Sequence, residues 1–201
     1  MDKTLKKSFF TSKNITGIAL FVALTIILQF IGNFISFGPV NINLSLIPIA
    51  IGALLFGPIG GAILGFFNGA VVLFSTSTIA LFYPLSIAGT IIACLLKTTL
   101  AGLVAGFIFL PFKNKGKKEI LGAFLASISV PIINTGIFSI CFMLFFRQMA
   151  IDAGNPDPFN FLLVAIIGVN FVFEFLVNVL LSSAIYTVYH LVSSRKKNES
   201  L

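Results

Sequence analysis

Long runs of apolar residues are the feature that most restricts how this chain can fold. The first covers residues 15–35, and similar runs recur to the end of the sequence. A helix that crosses the hydrocarbon core of a bilayer needs about 20 mainly apolar residues. With 58% hydrophobic and only 9% charged residues, the chain has too little polar surface to cover a water-soluble fold. The sequence therefore predicts an all-α protein embedded in a membrane.

Six apolar spans are predicted, joined by short loops. They cover residues 15–35, 44–56, 59–74, 82–110, 120–146 and 159–192. The second and third are short for a full crossing, so they are either tilted, longer than they look, or a re-entrant pair. Gly57-Pro58 between them predicts a tight turn. Residues 1–201 are accordingly predicted to form one integral membrane domain, with short basic tails at 1–14 and 193–201.

The positions of the basic residues predict how the chain is oriented. Four lysines precede the first span and three basic residues follow the sixth; between the fourth and fifth lie Lys113, Lys115, Lys117 and Lys118. Cytoplasmic loops of membrane proteins carry an excess of Lys and Arg. Six spans place all three groups on one side, whereas five would separate the two ends. Both termini are therefore predicted to be cytoplasmic, in a multi-pass protein of the cell membrane.

Composition and motifs argue against several other classes of function. Basic residues beside apolar spans do not form the wettable face that nucleic-acid binding needs, so no nucleic-acid partner is expected despite a net charge of +7. Cys94 and Cys141 lie within apolar runs, where they are expected to be small core residues. The spans contain no metal-ligand set, paired carboxylates or Ser-His arrangement. No catalytic residue, metal or cofactor is therefore predicted.

Polar residues inside the spans are the candidates for function. Lys97 and Glu174 are the two ionisable residues deep within spans, and each costs roughly 2.5 to 3.5 kcal/mol to place in hydrocarbon. They are predicted either to pair and pin two helices together, or to bind a solute or proton. Asn170, Glu174 and Asn178 follow one another at four-residue intervals, so they share a helix face that must point inward.

Further amides and one outer cation complete the predicted binding set. Such amides either join helices through hydrogen bonds or line a pocket for a small polar solute. The residues predicted to bind substrate are Lys97, Asn134, Asn170, Glu174, Asn68, Asn33, Asn43 and Arg147. Two outer loops rich in Gly, Pro and Asn, 36–43 and 147–160, are predicted to be either gates or plain connectors.

Several features of the chain occur together in one family. They are a short basic N-terminus, the small pair Ala19 and Ala23 in an AxxxA arrangement, the run 43–61 (NLSLIPIAIGALLFGPIGG), and the segment 170–181 with its glutamate and asparagines. With six predicted helices and about 200 residues, the chain resembles the substrate-binding S-components of energy-coupling factor (ECF) vitamin transporters. The resemblance spans nearly the whole sequence.

The resemblance implies a mechanism and a set of partners. An S-component binds its vitamin from outside, then docks on a membrane coupling subunit driven by two ATPase subunits. It is thought to topple in the bilayer and so carry the pocket to the cytoplasmic side. Ala19 and Ala23, which match the family's AxxxA motif, would then lie at the docking surface.

The polar inventory also bears on which vitamin is bound. The chain has no Trp and three Tyr, although 24 Phe remain available for stacking. Lys97 and Arg147 offer cationic partners for a carboxylate. Pantothenate, a small singly anionic solute with amide and hydroxyl groups, is the first prediction, with folate and riboflavin as alternatives.

Two other functions compete with a vitamin-binding subunit. One is a stand-alone secondary transporter that uses Lys97 and Glu174 for ion coupling, and the other is a small membrane enzyme or assembly factor. Internal repeats would favour the secondary transporter, and none is evident in the sequence. A reactive constellation would favour the enzyme, and none is evident either.

Overall fold

Helices make up nearly all of the chain that the structure, a computed structural model, describes, which is residues 12–35 and 41–198. In chain order they are α1 (Ser12–Gly32), α2 (Leu46–Leu73), α3 (Thr76–Leu81), α4 (Ile87–Phe109), α5 (Lys117–Phe145), α6 (Gln148–Asp152), α7 (Pro158–Phe161) and α8 (Gly168–Asn198). A 3-10 turn, Leu110–Phe112, follows α4, and a π-helical stretch, Leu162–Ile167, joins α7 to α8. The predicted all-α class is confirmed for these residues. Most of the N-terminal tail and residues 36–40 of the first outer loop lie outside them.

Five helical stretches in the described part of the chain are long and apolar enough to cross a membrane. They are Asn14–Gly32, Leu46–Leu73, Ile87–Phe112, Lys117–Phe145 and Pro158–Ser194. Large apolar side chains such as Leu20, Leu144 and Leu180 are exposed along them. Exposed apolar surface on this scale is favourable against lipid and costly in water. The chain is therefore a multi-pass membrane protein.

The second of these stretches is a hairpin rather than a straight helix. Gly57 breaks it with a φ of 73°, a conformation that glycine adopts readily and other residues rarely do. The side chains of Ser45 and Asn68 lie 2.6 Å apart although 23 residues separate them, and Gly61 packs against Ala53. Residues 46–56 and 58–73 therefore run antiparallel around a tight turn. The first arm is short, so the number of full crossings stays a prediction.

Contacts between helices place the start of α1 and the end of α8 at the same end of the bundle. Gly17 in α1 packs against Phe56 at the hairpin turn, and Gly106 in α4 packs against Pro58 in the same turn. Tyr189 in α8 meets Phe109 edge-on, with ring centroids 4.9 Å apart. The lysine-rich loop after α4 lies at this end too, which we call the basic end. Which side of the membrane the basic end faces stays a prediction.

The second arm of α2 packs against α4 through backbone contacts. A β-carbon added at Gly65 would lie 2.0 Å from the carbonyl oxygen of Thr98, and one at Gly102 would lie 2.1 Å from that of Gly61. Only glycine permits such an approach, as is common between membrane helices. The Thr98 hydroxyl also donates to the Gly65 carbonyl at 2.6 Å. Because Thr98 faces α2, its neighbour Lys97 is turned towards α5.

The interior differs between the two halves of the bundle. Towards the basic end, apolar side chains from α2, α4, α5 and α8 form a continuous buried core that includes Leu54, Ala105, Val130 and Ile185. In the opposite half, a smaller apolar cluster around Phe142 borders polar residues instead. Space for a solute is thus left in the half away from the basic end.

Candidate functional site

A cavity lies within the half of the bundle away from the basic end. It contains about 790 Å³ of empty space, a volume that includes the open space at its mouth. Its wall comes from the end of α1, residues 41 and 43, the segment from α2 to α3, and parts of α4, α5 and α8 with the π-helical stretch. Residues far apart in the sequence therefore face one space.

The cavity wall combines polar and aromatic residues, and 13 of its 22 lining residues are polar or charged. Its polar and charged residues are Gln29, Asn33, Asn41, Asn43, Ser75, Ser77, Thr78, Thr90, Lys97, Asn134, Thr135, Asn170 and Glu174. Four phenylalanines, Phe82, Phe138, Phe146 and Phe171, supply its aromatic surface. Amides, hydroxyls, one cation and one carboxyl group can together hold a polar solute in several directions, while the rings exclude water around it.

Lys97 brings a positive charge into the middle of this wall. Its ammonium lies 5.2 Å from the centroid of the Phe138 ring, a cation–π contact that partly compensates for lost hydration. Lys97 and Glu174 line the same cavity, yet no ion pair of 4 Å or less joins them in the described part of the chain. The ammonium therefore remains available to pair with an anionic group of a bound solute.

The side chain of Glu174 is hydrogen-bonded to the chain segment that follows α1. Its Oε1 accepts a hydrogen bond of 2.8 Å from the backbone N–H of Asn43, and 131 residues separate the two. One turn further along α8, the Asn178 side chain donates to the backbone oxygen of Glu174 at 2.9 Å. The carboxyl group thus holds one edge of the cavity against α8.

A hydrogen-bonded cluster of side chains supports that same edge. The Gln29 amide donates to Asn33 Oδ1 at 3.1 Å. The Ser45 hydroxyl lies 3.1 Å from Gln29 Oε1 and 2.6 Å from Asn68 Oδ1, and it also contacts Asn43 Oδ1. A hydroxyl donates one hydrogen bond at a time, so the three amide oxygens are alternative acceptors for the single Ser45 hydroxyl hydrogen. The cluster connects α1 to both arms of the α2 hairpin.

The structure brings most of the predicted binding residues together. Lys97, Asn134, Asn170, Glu174, Asn33 and Asn43 all line the cavity. Asn68 does not, because it is fully buried behind the wall, where it hydrogen-bonds Ser45. Arg147 does not line it either, since it is exposed just before α6. Ala19 and Ala23 lie away from the cavity, exposed on α1.

Several hydroxyl residues of the wall were not among the predicted set. Thr90 lies seven residues before Lys97 on α4 and shares its face, and Thr135 follows Asn134 directly. A threonine within a helix can satisfy its hydroxyl on the preceding turn, as Thr90 does on the Ser86 carbonyl at 2.7 Å. Such residues cost little in lipid, so their presence alone does not indicate a site. For Thr90 the available signal was its seven-residue spacing from Lys97, and for Thr135 it was its position next to Asn134.

The groups of the wall are suited to binding a polar solute. No group of three or more His, Cys, Asp or Glu side chains within the described ranges could hold a metal ion. Both cysteines are buried and free, and Cys94 lines the cavity one turn before Lys97. The groups present are hydrogen-bond donors and acceptors, two ionisable side chains and aromatic rings.

A helical bundle in a membrane, with polar residues around a cavity between its helices, is the architecture of a membrane protein that binds a small solute. A family model described as ECF transporter, substrate-specific component, matches residues 13–196. The chain therefore belongs to that family, which confirms the family resemblance predicted from its sequence. No curated protein matches the chain. As a substrate-specific component, it serves a transporter rather than acting as an enzyme, with a small-molecule substrate and an ECF module as partners.

Proposed function

We propose that this protein binds a small vitamin and delivers it to an ECF module in the cell membrane. Pantothenate, whose single carboxylate can pair with Lys97, is the first candidate, followed by folate with two carboxylates and riboflavin with none. The observation that supports the proposal most strongly is Lys97, a cation that faces a polar cavity with no carboxylate within 4 Å among the described residues. A buried cation of this kind is costly unless it has a partner, and an anionic solute provides one.

The rest of the wall suits the remaining groups of such a solute. Asn134, Asn170 and the neighbouring hydroxyl of Thr135 can hydrogen-bond amide and hydroxyl groups. Asn33 and Asn43, at the end of α1 and in the segment before α2, add two further side-chain amides to the wall. Arg147 and Asn68, which do not line the cavity, are left out of the proposed contact set.

The direction of transport follows from the proposed orientation. With the basic end in the cytoplasm, the cavity lies in the outer half of the bundle and receives its solute from outside. The partners are then a membrane coupling subunit and two ATPase subunits. Ala19 and Ala23 support docking on α1, because both are exposed and their small side chains permit another helix to approach closely.

A binding-and-uptake experiment tests this proposal. The purified chain should bind pantothenate tightly in calorimetry, and it should give no uptake in vesicles unless the coupling subunit and ATPases are present. Robust uptake by the chain alone, driven by an ion gradient, would instead support a secondary transporter. In the same assay, Ala19→Leu with Ala23→Leu should abolish uptake and leave binding unchanged. Ala184→Leu, an exposed alanine on α8, is the matched control.

Glu174 is expected to act through Asn43 rather than by charge alone. Glu174→Ala removes the acceptor of the Asn43 N–H and should weaken vitamin binding by about tenfold, since hydrogen bonds to charged groups contribute about 1.5–3 kcal/mol. Glu174→Gln keeps an acceptor oxygen and should stay within about threefold of the native affinity. Calorimetry on both variants measures the difference, and equal losses in the two would refute this role. Ser183→Ala, an exposed position on α8 that does not line the cavity, is the control and should bind normally.

A further inference from the structure

The loop between α4 and α5 concentrates positive charge at the basic end. Four lysines lie within residues 113–118; Lys115, Lys117 and Lys118 are exposed and Lys113 is half-buried. The substrate cavity lies in the other half of the bundle, so this charge has no part in the proposed vitamin binding. Orientation in the membrane requires only that the charges be present, and it does not require the loop to have a fixed shape.

The one acidic residue close to these lysines in the described chain faces inward. Glu119, in the first turn of α5, is 8% exposed. Its Oε1 accepts hydrogen bonds from the Tyr189 hydroxyl at 2.8 Å and from the backbone N–H of Asn114 at 3.0 Å. The Glu119 carboxylate is therefore engaged beneath the loop, and no other described residue supplies a counter-charge to the exposed ammonium groups.

The same contacts hold the loop in a defined conformation. Asn114 and Gly116 both adopt positive φ, 60° and 56°, which turns the chain twice within three residues. The Asn114 N–H is tied to Glu119, and Phe112 packs against Gly122 in α5. The three exposed lysines therefore extend from a turn whose conformation is held by these contacts.

Exposed apolar residues flank the lysines directly and set their depth. Leu110 precedes the loop, and Ile120 and Leu121 follow it; their side chains are 46%, 51% and 52% exposed. Apolar side chains are most stable in the acyl region of a bilayer. With these three placed there, the lysine ammonium groups, a few residues away, would reach the level of the lipid phosphates.

We propose that residues 113–118 form a binding site for the phosphate of anionic phospholipid headgroups, shaped by the hydrogen bond between Glu119 and Tyr189. A single-sign cluster at headgroup depth attracts anionic lipid, and the bracing limits how much side-chain and backbone freedom binding must remove. The lipid would anchor the basic end at the interface on the side where the loop emerges.

The test is lipid binding to the full-length protein in mixed micelles. Native mass spectrometry measures retention of phosphatidylglycerol against phosphatidylcholine for the native protein, for Lys115→Gln/Lys117→Gln/Lys118→Gln, and for Lys3→Gln/Lys6→Gln/Lys7→Gln as a control of equal charge. The loop variant should bind phosphatidylglycerol about 100-fold more weakly, at about fivefold per lysine. The control should keep most of its affinity. Equal losses in both would mean that net charge, and not this loop, attracts the lipid, and would overturn the proposal.

A competition experiment separates a lipid headgroup from a soluble phosphate as the ligand of the loop. Soluble glycerol 3-phosphate should not displace phosphatidylglycerol at millimolar concentration; displacement would indicate a site for free phosphate.

Tyr189→Phe, which removes one hydrogen bond beneath the loop and no charge, should weaken lipid binding about threefold. If Tyr189→Phe leaves the lipid affinity unchanged, the hydrogen bond between Glu119 and Tyr189 does not shape the site, and the proposal is wrong on that point. If the loop variant binds lipid normally but fails to assemble with the coupling subunit, the loop is a protein-docking surface instead. Circular dichroism and monodisperse elution show that each variant is folded.

Discussion

Replacement of Lys97 by methionine is expected to weaken binding of an anionic vitamin by about 10- to 150-fold. A hydrogen bond to a charged group contributes about 1.5–3 kcal/mol, and Lys97 is the cation that lines the cavity. Methionine keeps a similar length and removes the charge. Because a lysine within a membrane helix is itself costly, the folded variant should be at least as stable as the native protein. A loss of affinity together with unchanged or raised stability is therefore the expected pattern in calorimetry and thermal unfolding.

A second ligand makes the role of Lys97 specific. An analogue in which the pantothenate carboxylate is replaced by a neutral amide should bind the native protein weakly, and Lys97→Met should hardly change its affinity further. This is a double-mutant cycle between one protein group and one ligand group. Lys117→Met, an exposed lysine at the start of α5, removes the same charge away from the cavity and should bind normally. Unchanged affinity in folded Lys97→Met would exclude Lys97 from the site.

Gly65→Ala is expected to cause a large loss of stability. The added β-carbon would lie 2.0 Å from the Thr98 carbonyl oxygen and 2.5 Å from its carbonyl carbon. These are backbone atoms, so the two helices must separate, and overpacking of this kind costs typically about 1–3 kcal/mol, occasionally more. For a protein of this size the thermal midpoint should fall by about 2–12 °C. Vitamin affinity should fall with it, because Lys97 is positioned by the same contact.

Gly136→Ala is the matched control for this prediction. Gly136 lies within α5, and a β-carbon there would meet no heavy atom within 4 Å. Alanine is a better helix former than glycine by roughly 1 kcal/mol in water, so the midpoint should stay the same or rise. Thermal unfolding in one detergent compares the two variants directly. A similar loss in both would show that the α2–α4 contact is not especially close.

Much of the fold was predictable because apolar runs have few alternatives in lipid. Backbone groups in hydrocarbon must be hydrogen-bonded internally, so each run had to become a helix. The break at Gly57-Pro58 was also visible as a turn signal. What could not be predicted was which of the alternatives for the two short runs 44–56 and 59–74 is adopted, or that α8 is preceded by a π-helical stretch. Those depend on how neighbouring helices pack.

The candidate site was predictable to a similar degree. Lys97, Asn134 and Glu174 stood out because polar groups in hydrocarbon are expensive, and all three line the cavity. Asn68 looked equivalent in sequence, yet it lies behind the wall on Ser45. Arg147 carries the right charge and is exposed instead. Chemistry identifies which residues need a polar partner, while packing decides whether that partner is a neighbouring side chain or a bound solute.

The amino-acid sequence alone determined that this protein lies in lipid, that it is helical, which family it belongs to, and which few polar residues must turn inward. These follow from transfer energies, which depend on residue type and not on neighbours. Only the tertiary structure decided that Lys97 and Glu174 line one cavity without an ion pair between them. It also decided that Glu174 holds Asn43, 131 residues earlier in the chain. Such contacts depend on how helices distant in the sequence pack against one another, which is a property of the helices together.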